Sequence, residues 1–125
     1  MADIFIDRIG GKLSVKIEVK SLQVVGYSGQ LIGADHKVVA EFDGSLGSTT
    51  DSATNVIGID AASCIDGFIN SIIEIADPIG ADQNYDINIS VFQDNLQLTP
   101  IISLTGTTTN NDVTRYPQFH INAKQ

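Results

Sequence analysis

Apolar and polar residues alternate along much of this chain with a period of two, and one stretch follows a helical period instead. The cleanest alternation sets Leu13, Val15, Ile17 and Val19 against Lys12, Ser14, Lys16, Glu18 and Lys20. Successive side chains of an extended chain point to opposite faces, so the pattern predicts a strand with one buried and one solvated side. Tyr85, Ile87, Ile89 and Val91 alternate with Asp86, Asn88 and Ser90 in the same way. Shorter β-like runs cover residues 4–6, 22–27, 30–32, 36–42, 96–104 and 113–122. Gly10-Gly11 predicts a tight hairpin joining the first two strands, because glycine accepts positive φ without strain. Asp94-Asn95 predicts another turn, and Pro100, which has no N–H for a ladder, belongs at an edge or bulge.

The exception is residues 60–77. At 100° per residue, Ala61, Ala62, Cys64, Ile65, Phe68, Ile69, Ile72, Ile73, Ile75 and Ala76 share one half of a helical wheel, and Asp60, Ser63, Asp66, Gly67, Asn70, Ser71, Glu74 and Asp77 fill the other. Asp60 suits an N-cap and Pro78 a stop. The pattern predicts a long amphipathic helix lying on a sheet, with Ile65, Phe68, Ile69 and Ile72 in the core. The fold class that follows is α+β: mainly antiparallel β, as a sheet, small sandwich or barrel, carrying one helix at about 60–77. Residues 43–55 and 106–112 are small and polar without periodicity, which predicts loops.

Composition narrows the functional classes. A chain of 125 residues is the size of a single domain, here 1–125. Its one cysteine, Cys64, has no partner for an internal disulfide. No apolar run reaches the roughly 18 residues a membrane helix needs, and the acidic, alternating start lacks the layout of a signal peptide. A soluble cytoplasmic protein is the expectation.

The formal net charge of −8 argues against nucleic acid as a partner. The charge is unevenly spread. Residues 1–20 hold four Lys or Arg against three acids, and the remainder holds three against twelve. Lys12, Lys16 and Lys20 recur every four residues on one face of one strand, a cationic stripe on an anionic body. That asymmetry points to a structural protein that self-associates, with the three lysines at a heterologous interface closing into a ring or running on as a filament. No family motif is present. In architecture alone, a β-rich barrel flanked by one helix resembles the inner-tube proteins of phage tails and related contractile machines, which implies stacked rings.

A second reading is a ligand-binding module, for a sugar or a Ca²⁺-dependent ligand, using the polar loops: Asp43, Ser45, Asp51 and Asn55 in one, Asn110 and Asp112 in the other. An aromatic platform for a sugar ring is missing from both loops. The first loop also fails the EF-hand pattern, with Ser48 where glycine is needed and Thr54 where a glutamate is needed. No bound metal or cofactor is expected. Gly26, Gly29 and Gly33 fit neither phosphate-binding glycine pattern and are read as turn residues. A small enzyme built on Cys64, on His36 or His120, or on the acid pair Asp77 and Asp82 comes third. No nucleophile, base and acid are arranged in a recognisable signature, so no catalytic residue is assigned.

Overall fold

The structure is a computed structural model and describes residues 1–47, 51–76, 83–109 and 111–125. It consists of eleven strands and one short helical turn: β1 Ala2–Ile6, β2 Ser14–Val19, β3 Val24–Ile32, β4 Val38–Leu46, β5 Asp51–Val56, β6 Phe68–Ala76, β7 Gln83–Gln93, β8 Leu96–Gln97, β9 Ile102–Thr108, β10 Val113–Arg115 and β11 Gln118–Ala123, with a 3₁₀ turn at Ala61–Cys64. The first sheet is six-stranded in the order β1-β11-β6-β3-β4, with β10 also paired to β6. The second is five-stranded in the order β5-β2-β7-β8, with β9 also paired to β7. Every pairing is antiparallel except that of β1 with β11.

The inner faces of both sheets contribute to one buried cluster, making a sandwich. Ile69, Ile73 and Ile75 of β6 and Val25, Tyr27 and Leu31 of β3 come from the first sheet, and Val15, Ile17, Val19, Ile87, Ile89 and Val91 from the second. The alternation in β2 and β7 therefore sorts core from solvent as the sequence predicts. Two tyrosines tie the sheets together at opposite sides. The Tyr27 hydroxyl donates to Asn55 Oδ1 of β5 at 3.2 Å, and Arg115 of β10 donates to the Tyr85 hydroxyl at 2.7 Å and to the Thr105 carbonyl at 3.4 Å. Each ring lies across a glycine on the paired strand, Gly44 for Tyr27 and Gly106 for Tyr85, where a Cβ would collide with the phenol. An aromatic covering a cross-strand glycine restores the packing that the missing side chain loses.

The long helix at 60–77 is absent, and the fold class is β, not α+β: among the described residues no helix reaches seven residues. Helical winding ends after Cys64, because Ile65 is extended and Asp66 takes φ 67°. Gly67 then passes so close to Ile32 that a Cβ there would strike its carbonyl oxygen. From Phe68 the chain is β6, with Ile69, Ser71, Ile73 and Ile75 buried at every second position. The same apolar set satisfies a wheel and an alternation, and β-branched Ile at 69, 72, 73 and 75 favours the extended form. Of the four predicted core residues, Ile69 is buried, Ile65 is partly so, Phe68 stacks on His120, and Ile72 is exposed. Pro78 and Asp77 lie outside the described residues. With the helix gone, the likeness to phage inner tubes loses its basis.

Two other expectations change. Gly10-Gly11 makes no hairpin, since β1 belongs to the first sheet and β2 to the second. The corner between them is pinned by Gln93, which accepts from the Asp7 amide at 2.8 Å and donates to the carbonyls of Asp7 and Gly11 at 2.8 and 3.1 Å. A Cβ on Gly10 would sit 2.6 Å from Gln93 Nε2, so glycine is needed for close approach. The predicted loop at 43–55 is mostly strand: β4 runs to Leu46, and β5 begins at Asp51. No helix of the described residues is long and apolar enough to cross a membrane.

Candidate functional site

Alternation leaves a second set of side chains on the outside of the first sheet, and the registers line them up across the strands. Asp3, His120, Phe68, Ile32 and Val38 make one row, and Gln118, Asn70, Gln30 and Glu41 the next. The registers of β10 and β11 against β6 run on as one, which places Tyr116 beside Ile72, followed by Ser28 and Asp43. Beyond them stand Thr114, Glu74, Gly26 and Ser45.

A depression of about 600 Å³ lies over the amide row and the Tyr116 row. A neighbouring one of about 510 Å³ shares Ser28, Asp43 and Ile72 with it and extends the hollow to Gly26, Ser45 and Glu74. Small side chains at Gly26, Ser28 and Ser45 lower the floor, and longer ones at Gln30, Glu41, Gln118 and Tyr116 rise around it.

The polar groups here are largely unspent. Gln118 Nε2 donates to Asn70 Oδ1, which orients both amides. Among the described residues, Ser28, Gln30, Glu41 and Asp43 make no side-chain hydrogen bond. The aromatic group is Tyr116, whose side chain is 73 % exposed beside Ile72 at 42 %. Its backbone is held on both sides. Arg115 points inward to the Tyr85 hydroxyl, and Pro117 is buried, with its carbonyl accepting the Ser71 amide at 3.1 Å. A residue preceding proline is also confined to extended conformations, so Tyr116 is presented on a stiff segment.

Next to the hollow, His120 Nδ1 lies 2.9 Å from Asp3 Oδ1, and its ring stacks on Phe68 at 4.8 Å between centroids. The His120 contact, with help from the Asn122 amide at 3.3 Å, holds the Asp3 carboxyl below its ordinary pKa. The pair ties β1 to β11 across their parallel ladder.

The predicted site residues part company. Asp43 and Ser45 line the hollow. Asp51 accepts from the Gly47 and Ser52 amides. Asn55 is structural, accepting from Tyr27 and donating to the Val15 carbonyl. Asp112 is exposed after β9, and Asn110 lies outside the described residues. The two polar segments therefore do not form one loop site. Lys12, Lys16 and Lys20 belong to the other side of the sandwich, where Lys20 approaches Glu18 at 3.9 Å and Lys12 and Lys16 make no ion pair among the described residues. The candidate nucleophile Cys64 is buried, and burial, then the nearby Asp60 charge, push its pKa up to about 11. Such a thiol offers almost no thiolate at neutral pH. His36 is exposed in a turn at φ 64°, and Asp77 and Asp82 lie outside the described residues.

Gln30, Asn70, Gln118, Ile72 and Tyr116 were not singled out from the sequence as site residues. One signal was available: Tyr116 directly precedes a proline in a β-like run, and an aromatic there fits no core alternation. The fold and hollow together define a two-sheet β-sandwich with an open polar groove on one face. No family model, no curated protein and no solved structure matches the chain.

Proposed function

We propose that this chain is a non-catalytic binding module whose site is the hollow on the outer face of the first sheet. The observation that carries the reading is Tyr116, an exposed ring on a constrained backbone, set beside side-chain amides and carboxylates with free hydrogen-bonding capacity. Binding sites combine apolar contact area with a few placed polar groups in a concavity of about 300–1,000 Å³. A fragment set of neutral, cationic and anionic compounds, followed through backbone and side-chain amide NMR signals, tests it. Perturbations are expected to cluster on β3, β4, β6 and Tyr116. Clustering on the second sheet's outer face, or no perturbation anywhere, overturns the reading.

Self-association is the second reading. It is favoured by the position of β4 and β5 at the ends of their sheets, with exposed Val38, Val39 and Val56, and by Lys12 and Lys16, which make no ion pair among the described residues. Open strand edges are templates for pairing with another chain. Sedimentation of the wild type and of a Lys12→Glu, Lys16→Glu, Lys20→Glu variant at low and high salt decides it. A monomer throughout removes self-association, and an oligomer unaffected by the triple change moves the contact to the edges.

A further inference from the structure

The hollow has a chemistry that selects among ligands, and this inference rests on the binding reading above. Its lining residues carry Glu41, Asp43 and Glu74 and no Lys or Arg. Phosphates, nucleic acids, uronic acids and acidic peptides would meet unopposed negative charge there. The remaining polar groups are amides and hydroxyls, those of Ser28 and Ser45 among them. Because Gln118 donates to Asn70, the remaining capacity includes the Asn70 amino group, the Gln118 carbonyl and the whole Gln30 amide. Donors and acceptors thus stand interspersed within one row. A ligand that satisfies both carries donors and acceptors side by side, and a hydroxyl supplies the two in one group.

The apolar part constrains the ligand further. The Tyr116 ring and the Ile72 side chain make a contact surface at the edge of the amide row. A ligand with flat C–H faces and a hydroxylated rim can lay a face on the tyrosine and turn its rim to Asn70, Gln30 and Asp43. A sugar ring has that shape. A cationic peptide would gain from the carboxylates, but its lysine stems offer Tyr116 no flat ring face. The two depressions are continuous from Asn70 past Ile72 to Glu74, five residues of extended chain or about 13 Å between the outer two, which is longer than one ring.

We infer that the hollow binds a neutral oligosaccharide, lying along β6 and β3 with one ring on Tyr116. The test titrates the protein with cellohexaose, xylohexaose and mannohexaose, with hexagalacturonic acid and pentalysine as charged probes, observing the side-chain amide signals of Gln30, Asn70 and Gln118. At least one neutral hexaose is expected to move these signals. Tyr116→Ala should weaken that binding about tenfold and Tyr116→Phe should retain it, since the ring face and not the hydroxyl supplies the contact. Asn70→Ala gives an independent variant in the amide row and should weaken binding too. The inference is overturned if no neutral hexaose binds, if Tyr116→Ala binds as the wild type does, or if hexagalacturonic acid binds more tightly than every neutral hexaose. Pentalysine alone moving these amides overturns the sugar and keeps the binding site. No probe moving them, together with an empty fragment screen, overturns both.

Discussion

The two outer faces of the sandwich arise from the same alternation and are chemically unlike. On the second sheet short polar residues stand outward beside Lys16, Glu18, Val56 and Phe92, and several satisfy one another: Ser103 donates to Asn88 at 3.0 Å, Thr107 to Asn84 at 2.9 Å, and Lys20 approaches Glu18. On the first sheet they are long amides and carboxylates with free capacity, interleaved with Phe68, Ile32, Ile72 and Tyr116. A hydrogen bond to a ligand replaces one to water and adds little by itself, so affinity comes where apolar contact and several oriented polar groups coincide. The first face combines them in one hollow, with Tyr116 and Ile72 beside Asn70, Gln30 and Gln118. The second matches what a solvated sheet surface requires.

The largest expected effect tests which residues belong to an outer face at all. Ile73→Ala should cost about 2–5 kcal/mol in a denaturant titration, because Ile73 is fully buried, whereas Ile72→Ala next to it should cost less than about 1 kcal/mol. Equal costs would break the assignment of Ile72 to the hollow.

Arg115 sharpens the comparison next, since it is the clasp that steadies Tyr116. Arg115→Met should destabilise by about 1–3 kcal/mol through loss of the Tyr85 and Thr105 contacts, and it should loosen the hollow without touching the second face. Backbone amide exchange faster in β10 but unchanged in β2 and β5 is the expected readout.

A pH dependence comes third. The folded-state pKa of Asp3 lies below its ordinary value of 3.8, chiefly through the His120 hydrogen bond. The unfolded chain therefore binds that proton more readily, so the contribution is whole above about pH 4 and is lost as pH falls through the folded value. Denaturation between neutral and acid pH should show a shallower loss in Asp3→Asn than in the wild type. An identical slope would remove the Asp3–His120 tie from the account of β1.

The smallest effect is expected on the second face. Lys16→Ala should change stability by no more than about 0.5 kcal/mol and leave ligand binding at the hollow unaltered. A large loss there would mean that the second face is in contact with something, and the lysine stripe would return as an interface.

Much of the second sheet was legible in the chain. Leu13 to Val19 and Tyr85 to Val91 alternate without exception because one face is buried and the other solvated, and that asymmetry is written residue by residue. The strand β6 was misread because burial on one face and β-branched residues on both produce an apolar set that a wheel also accepts. Gly67 in the middle of the supposed helix was the local sign against it, at a cost of about 1 kcal/mol relative to alanine. Of the candidate site, Asp43 and Ser45 were legible as polar residues with no core role, but their partners were not.

By itself the sequence determined which residues face inward on β2 and β7, the turn at Asp94-Asn95, and the net acidity of the chain. Those are local properties, set by side-chain period, φ preference and charge. Only the tertiary structure decided that Gly10-Gly11 turns a corner between sheets, that 61–76 is a turn followed by a strand, and that Gln30, Asn70, Gln118 and Tyr116 share one surface. These depend on strand order and register, which bring residues more than 80 positions apart into one row. No short-range preference encodes such a pairing, because its free energy comes from burying the opposite face of every strand at once.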